Sequence, residues 1–361
     1  MTDAAYMKLA LRLAARGAGW VSPNPMVGAV VVKAGQVVGQ GYHRRLGGPH
    51  AEVEALHRAG AAAQGADLYV TLEPCNHQGR TPPCTRAILA AGVGRVVIAT
   101  RDPNPRVTGD GAGFLASRGV AVEIGLLEAE ARRLNEAYFK AVTTGLPFVV
   151  AKAACSLDGK IATATGESQW LTAASTRTFA HRLRHQVDAI LVGIGTILVD
   201  DPRLTTRLPH TKDPIRIILD SRLRLPLTAR VINPDSPAPT WVVCRDQAPK
   251  ERMKDLQRLG VEVLPMPEEA GLIALRPLLE FLGERQVQSL LVEGGAETLG
   301  SFFDQKMVDK FYLFYAPKFL GGRNALGVLG GKGVARLQDA LPARDLSVRR
   351  LGPDLVITGY L

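Results

Sequence analysis

Two short segments, His50-Ala51-Glu52 and Pro74-Cys75-Asn76-His77-Gln78-Gly79-Arg80-Thr81-Pro82-Pro83-Cys84, carry an imidazole and two thiols whose chemistry fits a single metal ion. A fold for this part of the chain must bring both segments to one point. Cys thiolate and His nitrogen are the ligands Zn²⁺ prefers, and a catalytic zinc keeps three protein ligands and leaves its fourth tetrahedral position to water. His50, Cys75 and Cys84 make up that set. Glu52, two residues from His50 and not itself a ligand, is placed to carry a proton. Glu54 and Glu73 are alternatives for that role; Glu54 falls on another face of a helix, and Glu73 suits a supporting position behind the ligands. A closed structural zinc would need a fourth ligand, for which His77 is the nearby candidate. His57 reads as a surface residue.

The surrounding pattern is one of alternating elements. An amphipathic helix over residues 6–15 is followed by a turn at Ser22-Pro23-Asn24-Pro25 and by strands over 27–32 and 36–43. A helix over 51–58, a strand over 67–72, a helix that opens at Pro82-Pro83 and runs over 85–91, and strands over 96–100 and 120–124 come next, then a helix over 127–139. This alternation predicts an α/β domain whose sheet is covered on both faces. It also puts each metal-binding segment at the start of a helix, where partial positive charge favours thiolate at Cys84 and, depending on the turn, at Cys75.

Length and charge set the wider frame. A chain of 361 residues is expected to form two domains. The break falls at Thr143-Thr144-Gly145-Leu146-Pro147, dividing it into residues 1–145 and 146–361. The net charge of +10 raises the question of a nucleic-acid partner, but residues 1–145 carry 16 Lys and Arg against 11 Asp and Glu, and the remainder 28 against 23. Even spreading of this kind favours pockets for anionic small molecules over a basic stripe, so no nucleic acid is expected. Four cysteines, two of them in the metal segments, make no disulfide framework and point to a reducing, cytoplasmic setting, with Cys155 and Cys244 inert. No apolar run is long enough for a membrane helix.

His-x-Glu followed by Pro-Cys and a second Cys is the pattern of zinc deaminases of bases and nucleosides, usually with a Cys-x-x-Cys pair; here eight residues separate Cys75 from Cys84. With Ser22-Pro23-Asn24-Pro25-Met26-Val27-Gly28 and Gly41-Tyr42-His43 upstream and Asp102-Pro103-Asn104-Pro105 downstream, the chain resembles the bifunctional deaminase/reductases of riboflavin biosynthesis. The resemblance implies a cytidine-deaminase-like three-layer α/β/α domain that removes an amino group from 2,5-diamino-6-(ribosylamino)pyrimidinone 5′-phosphate. It further implies that Asn24, His43, His77, Arg80, Asp102 and Asn104 contact this substrate, with His77 and Arg80 nearest its phosphate. A guanidinium fork suits a phosphate, whereas Asn24 and Asn104, each between prolines, fit turns equally well.

In the second half, strands are expected over 148–154, 188–193, 214–220, 240–244 and 289–293. Two strand ends, Gly193-Ile194-Gly195-Thr196 and Glu293-Gly294-Gly295, have glycines that let a backbone approach a ligand phosphate, although neither is a full dinucleotide fingerprint and ordinary turns explain both. The segments Lys152-Ala153-Ala154-Cys155-Ser156-Leu157-Asp158-Gly159-Lys160, Gly166-Glu167-Ser168-Gln169-Trp170, Asp200-Asp201-Pro202-Arg203-Leu204-Thr205-Thr206-Arg207 and Val292-Glu293-Gly294-Gly295 resemble the reductase half of the same family. That half is similar to dihydrofolate reductase in fold and uses NADPH to reduce the ribosyl group to ribityl, giving 5-amino-6-(ribitylamino)uracil 5′-phosphate. The resemblance implies that Ala154, Trp170, Thr196, Asp200, Ser221 and a loop of Gly295, Ala296, Glu297, Thr298, Leu299, Gly300 and Ser301 line NADPH. Lys152, Ser168, Arg184, Leu204, Arg207 and Glu293 would face the sugar phosphate. Arg184 and Arg207 suit a dianion on charge; Asp200, before Asp201-Pro202, also fits a turn. Lys152 is the candidate for the proton or charge at the reacting carbon. The family also implies a homo-oligomer.

Two other readings share parts of this pattern. A nucleic-acid base deaminase with an added RNA- or DNA-binding domain would use the same zinc motif and the basic charge. A non-catalytic, zinc-stabilised dinucleotide-binding protein would use the glycine turns but gives Glu52 and the open zinc position no purpose.

Overall fold

A computed structural model describes residues 1–78, 82–105, 110–233, 235–269 and 271–361. Arg80 lies outside the described residues. The chain divides into two compact units, Met1–Leu146 and Pro147–Leu361.

The first unit runs α1 (Asp3–Ala14), β1 (Gly28–Lys33), β2 (Gln36–Tyr42), α2 (Ala51–Ala59), β3 (Asp67–Val70), α3 (Cys84–Ala90), β4 (Arg95–Ile98), α4 (Gly111–Ser117), β5 (Ala121–Ile124), α5 (Glu128–Leu134) and α6 (Glu136–Thr144). Its sheet has the order β2-β1-β3-β4-β5. β1 is antiparallel to both neighbours and β3, β4 and β5 are parallel. Successive strand residues point to opposite faces. Ala29, Val31, Leu68, Val70, Val96 and Ile98 therefore meet Ala51, Ala55 and Leu56 of α2, Ile88 of α3 and Leu115 of α4. Val30, Val32, Tyr69 and Val97 meet Tyr6, Met7, Ala10 and Leu13 of α1 and Ala131 of α5. These two cores on either side of one sheet are the expected three layers. Close approach fixes α2 on the sheet: a Cβ on Gly39 would lie 2.2 Å from the Ala55 carbonyl, and one on Gly41 2.5 Å from that of Ala51.

One expected element is split. The helix read over 127–139 breaks at Asn135, which is 3% exposed. Its side chain accepts the Met26 amide at 2.8 Å and donates to the Met26 carbonyl at 2.9 Å, a clamp that takes Asn135 out of helical geometry between α5 and α6.

The second unit contains β6 (Phe148–Ser156), α7 (Ala174–Gln186), β7 (Ala189–Gly193), α8 (Ile194–Asp200), β8 (Ile215–Leu219), β9 (Thr240–Arg245), α9 (Lys250–Arg258) and β10 (Glu262–Met266). Then follow a small hairpin, β11 (Glu268–Glu269) and β12 (Leu272–Ile273), and α10 (Leu275–Glu284), β13 (Ser289–Val292), α11 (Ala296–Asp304), β14 (Lys310–Ala316), β15 (Arg344–Leu351) and β16 (Asp354–Tyr360). The nine-stranded sheet has the order β10-β9-β8-β7-β13-β6-β14-β16-β15. It is parallel from β10 to β14 and antiparallel through β16 and β15. This is the α/β reductase architecture the resemblance implies. Five of the parallel strands, β6, β7, β8, β9 and β13, were legible as apolar runs; β10 and β14 were not expected. Nor were the antiparallel edge and α7: seven of the eight residues of β15 are exposed, and α7 buries only Thr176, Leu183 and Arg184.

Candidate active sites

In the first unit, the three candidate ligands converge. His50 is the residue before α2, Cys84 begins α3, and Cys75 lies in the loop after β3. His50 Nδ1 is 3.1 Å from Cys84 Sγ and 3.6 Å from Cys75 Sγ, and the three ligand atoms all lie within 4.8 Å of one another. Zn–S bonds of about 2.3 Å and Zn–N bonds of about 2.0 Å at tetrahedral angles put ligand atoms roughly 3.5 Å apart, so this set fits zinc. Among the described residues the cluster holds these three alone, without His77, the candidate fourth ligand. Of the two cysteines expected to benefit from a helix start, Cys75 receives the α3 amide: the Cys84 N–H donates to Cys75 Sγ at 3.3 Å. Hydrogen bonding from the Cys84 thiol, with further help from His50 and that amide, lowers Cys75 to about 4, while the same contact and burial push Cys84 up.

Glu52, in the first turn of α2, is 3% exposed, and burial raises its pKa. Its alternatives are engaged elsewhere. Glu54 faces Arg58 at 3.5 Å and Arg44 at 3.9 Å on the surface side of α2. Glu73 accepts the amides of Ala112 at 3.1 Å and Asp102 at 3.3 Å, holding the Asp102 loop.

The expected substrate contacts surround this centre unequally. His43 is 2% exposed; its Nδ1 lies 3.0 Å from the Pro49 carbonyl and so donates to it, leaving Nε2 to accept from Asn24 Nδ2 at 3.1 Å. The ring also sits edge-on to His50. Asp102 accepts the Asn104 amide at 2.9 Å and the Tyr138 hydroxyl at 3.0 and 3.2 Å, and burial raises its pKa. His77 Nδ1 is buried without a hydrogen-bond partner among the described residues. Tyr138, on α6, is a supporting residue that the sequence does not disclose, because an aromatic in a helix is ordinary core.

In the second unit, Lys152 on β6 and Glu293 after β13 come together with Arg184 of α7. Lys152 Nζ is 3.6 Å from Glu293, and Arg184 is bidentate to the same carboxylate at 2.9 and 2.8 Å while Nη1 donates to the Thr205 carbonyl at 3.0 Å. Arg184 thus uses three of its five N–H groups on Glu293 and Thr205, which fixes the plane of its guanidinium. Burial raises Glu293, but the charges of Arg184 and Lys152 outweigh it and bring the carboxylate to about 2. Arg207, at the far end of the same loop, donates to His181 at 3.1 Å. Leu204 is 2% exposed and adopts φ 55°.

The two glycine turns stand side by side: the Gly193 amide donates to the Gly294 carbonyl at 2.9 Å. A Cβ on Gly193 would lie 2.4 Å from Thr298 Oγ1, and one on Gly295 3.6 Å from Thr196 Oγ1. These turns lie at the carboxyl ends of adjacent parallel strands, with the N-terminus of α11 beside them, so they fit a pyrophosphate cofactor. Residues 295–301 are not a loop, however. Ala296–Asp304 is helical, Leu299 is 3% exposed, and a Cβ on Gly300 would meet the Gly330 carbonyl at 2.3 Å, so these two face the interior. Glu297 accepts the Gly331 amide at 3.2 Å, and Ser301 Oγ donates to the Glu297 carbonyl. Asp200 accepts from Ser168 at 2.8 Å and Gln169 at 3.0 Å, joining two expected contacts. Trp170 is 61% exposed under Arg177. Ala154 sits on β6 opposite Phe314, and Ser221 follows β8 with its carbonyl accepting the Arg245 amide at 3.4 Å. Cys155 and Cys244 are buried, and burial pushes both thiols up to about 11.

Comparison with known proteins agrees with this division. The cytidine and deoxycytidylate deaminase zinc-binding region matches residues 1–100, and the RibD C-terminal domain matches 147–357. The segment that a nucleic-acid deaminase would devote to an added binding domain is therefore the RibD C-terminal domain. The riboflavin biosynthesis protein RibD of Aquifex aeolicus is 47% identical over 356 residues, 98% of this chain and 97% of that protein. That of Escherichia coli is 41% identical over 370 residues, 99% of each. The solved structure of Acinetobacter baumannii RibD has a TM-score of 0.88 at 38% identity, covering 99% of this chain and 98% of that one. The diaminohydroxyphosphoribosylaminopyrimidine deaminase/5-amino-6-(5-phosphoribosylamino)uracil reductase of Thermotoga maritima has a TM-score of 0.87 at 36% identity, with the same coverage. No helix among the described residues is long and apolar enough to cross a membrane. Identity along the full chain, with both domains in order, means that this chain belongs to the RibD family, the bifunctional deaminase/reductases of riboflavin biosynthesis.

Proposed function

We propose that the first unit hydrolytically deaminates 2,5-diamino-6-(ribosylamino)pyrimidinone 5′-phosphate and that the second uses NADPH to reduce the ribosyl group of the product to ribityl. The observation that carries this is the convergence of His50, Cys75 and Cys84 beside buried Glu52, in a chain that continues into a RibD C-terminal domain. When bound, zinc supplies a Lewis-acid centre that brings the pKa of water toward neutrality. The Glu52 carboxylate takes the water proton and returns it to the departing amine; a raised pKa suits both transfers. Asn24, His77, Asp102 and Asn104 hold the pyrimidine and its sugar phosphate, with Arg80 on the phosphate, while His43 orients Asn24.

In the second unit, NADPH supplies the hydride. Thr196, Asp200, Ser221, Trp170, Ala154 and the first turn of α11 hold the cofactor. Ser168, Leu204 and Arg207 hold the sugar phosphate, and Lys152 Nζ supplies positive charge or a proton to the sugar oxygen released as the neighbouring carbon takes the hydride. Glu293, locked by Arg184, fixes Lys152. Thiolate ligands and NADPH both call for a reducing cytoplasm. The chain works as a homo-oligomer, a reading supported by the open edge strand β15 with Leu346 and Val348 at 60% and 63% exposure.

The test is to incubate the protein with the diaminopyrimidinone ribotide, with and without NADPH, and to follow ammonia and cofactor oxidation separately. Ammonia without NADPH, and NADPH oxidation only after deamination, is the expected result. Undiminished ammonia release after zinc is stripped would overturn the deaminase reading.

A further inference from the structure

The loop after α8 has backbone of unusual shape. Leu204, Arg207 and His210 have φ of 55°, 56° and 53°, the left-handed region that disfavours residues with a Cβ. Such a loop keeps its shape only where neighbours hold it. One face of α7 does this, since residues three and four apart on a helix are neighbours. Arg184 Nη1 donates to the Thr205 carbonyl at 3.0 Å, His185 Nδ1 accepts the Lys212 amide at 3.0 Å, and His181 Nε2 lies 3.1 Å from Arg207 Nη2. Guanidinium nitrogens only donate, so His181 Nε2 is the acceptor and carries no proton.

We infer that His181 is a positioning residue of the reductase, which fixes the plane of the Arg207 guanidinium for the phosphate of the substrate. The inference rests on the reading of Arg207 given above. A guanidinium on its long stem recognises a phosphate through a planar fork, so its orientation matters as much as its charge. Arg184 already has its plane fixed by protein partners, with three of its five N–H groups on Glu293 and Thr205, whereas Arg207 has His181. Burial, then the charges of Arg184 and Arg207, lower His181 to about 4; Glu293 and the Thr205 backbone act in the opposite sense and are outweighed. The imidazole therefore stays neutral and stays an acceptor.

Reductase kinetics on the deaminated ribotide would be measured with the full-length protein, its His181→Ala, His181→Gln and Arg207→Ala variants and the His181→Ala/Arg207→Ala double variant. Ammonia release by the other unit controls for the quality of each preparation. His181→Ala is expected to raise KM about tenfold, the factor carried by one hydrogen bond to a charged group, with kcat unchanged. His181→Gln, whose amide oxygen also accepts, should recover most of that loss, and His181→Ala should add nothing to Arg207→Ala. An unchanged KM in His181→Ala beside a raised KM in Arg207→Ala overturns the inference and leaves the role of Arg207 standing. An unchanged KM in Arg207→Ala overturns that role and the inference with it. Equal losses for Ala and Gln, with further loss in the double variant, mark His181 as a structural residue of α7 and also overturn it.

Discussion

Glu52 is 3% exposed and the Glu293 side chain 5%, yet their proton affinities move in opposite directions. At Glu52 burial prevails and the pKa rises. At Glu293 burial acts the same way, but Arg184 and Lys152 outweigh it and the pKa falls to about 2. The neighbours, not the depth, decide what a buried carboxyl can do. Glu52, proposed to take up and release a proton, sits beside the thiols and imidazole of the candidate zinc ligands. A group that must hold a lysine in place is saturated with cations and keeps its charge throughout.

The largest effect that would break this contrast is loss of a ligand. Cys84→Ala should reduce bound zinc to background, abolish ammonia release and lower the melting temperature of the first unit, because binding energy in such sites is folding energy. Zinc content and calorimetry check this, and NADPH oxidation on deaminated substrate should persist. Glu52→Gln should keep zinc and stability but slow ammonia release about a thousandfold, within the range for general acid–base catalysis. A Glu52→Gln protein with near-normal turnover would remove Glu52 from the proton path.

The two sites also differ in how far they can be read from sequence. Zinc chemistry limits the ligand types, and helix starts limit where they sit, so His50, Cys75, Cys84 and Glu52 were legible together. Which cysteine the α3 amide would serve was not, since that depends on how the loop folds back. The reductase cluster draws Lys152, Arg184 and Glu293 from β6, α7 and the end of β13, and no spacing rule links them. α7 was missed because its buried face contains an arginine and a threonine instead of an apolar stripe. The resemblance assigned Arg184 to the phosphate; that three of its N–H groups also brace Glu293 and Thr205 is visible only in the structure. Asn135 escaped for a related reason. A polar residue within an apolar helix pattern gives no sign that its side chain will clamp Met26.

Glu293→Gln sharpens the comparison at an intermediate scale. It leaves buried Arg184 and half-buried Lys152 beside a neutral amide, and breaking a buried pair in this way costs about 3–5 kcal/mol. The second unit should lose that stability in denaturant titrations while the first unit keeps its own midpoint. The pH dependence follows from the lowered carboxylate. Its folded pKa of about 2 lies below the ordinary value of 4.5, so the stabilisation is complete above about 4.5 and is lost as pH falls toward 2. The amount is roughly 3 kcal/mol. The Glu293→Gln unit should lack this acid-dependent loss.

Tyr138→Phe tests the smallest difference, because it removes one hydroxyl and leaves the ring in the core. The Tyr138 hydroxyl donates to both oxygens of Asp102, at 3.0 and 3.2 Å, and the Asn104 amide donates to the same carboxylate at 2.9 Å. Burial raises Asp102, and the Tyr138 and Asn104 bonds oppose that rise. Without the hydroxyl, Asp102 keeps its backbone donor but loses a constraint on its side-chain plane. A hydrogen bond of this kind is worth about 1–2 kcal/mol. If Asp102 binds substrate, KM for deamination should rise about five- to thirtyfold with kcat little changed, and the reductase should not respond. A fall in kcat at constant KM would instead place Asp102 in the chemical step, and the proton path of the first unit would then extend beyond Glu52.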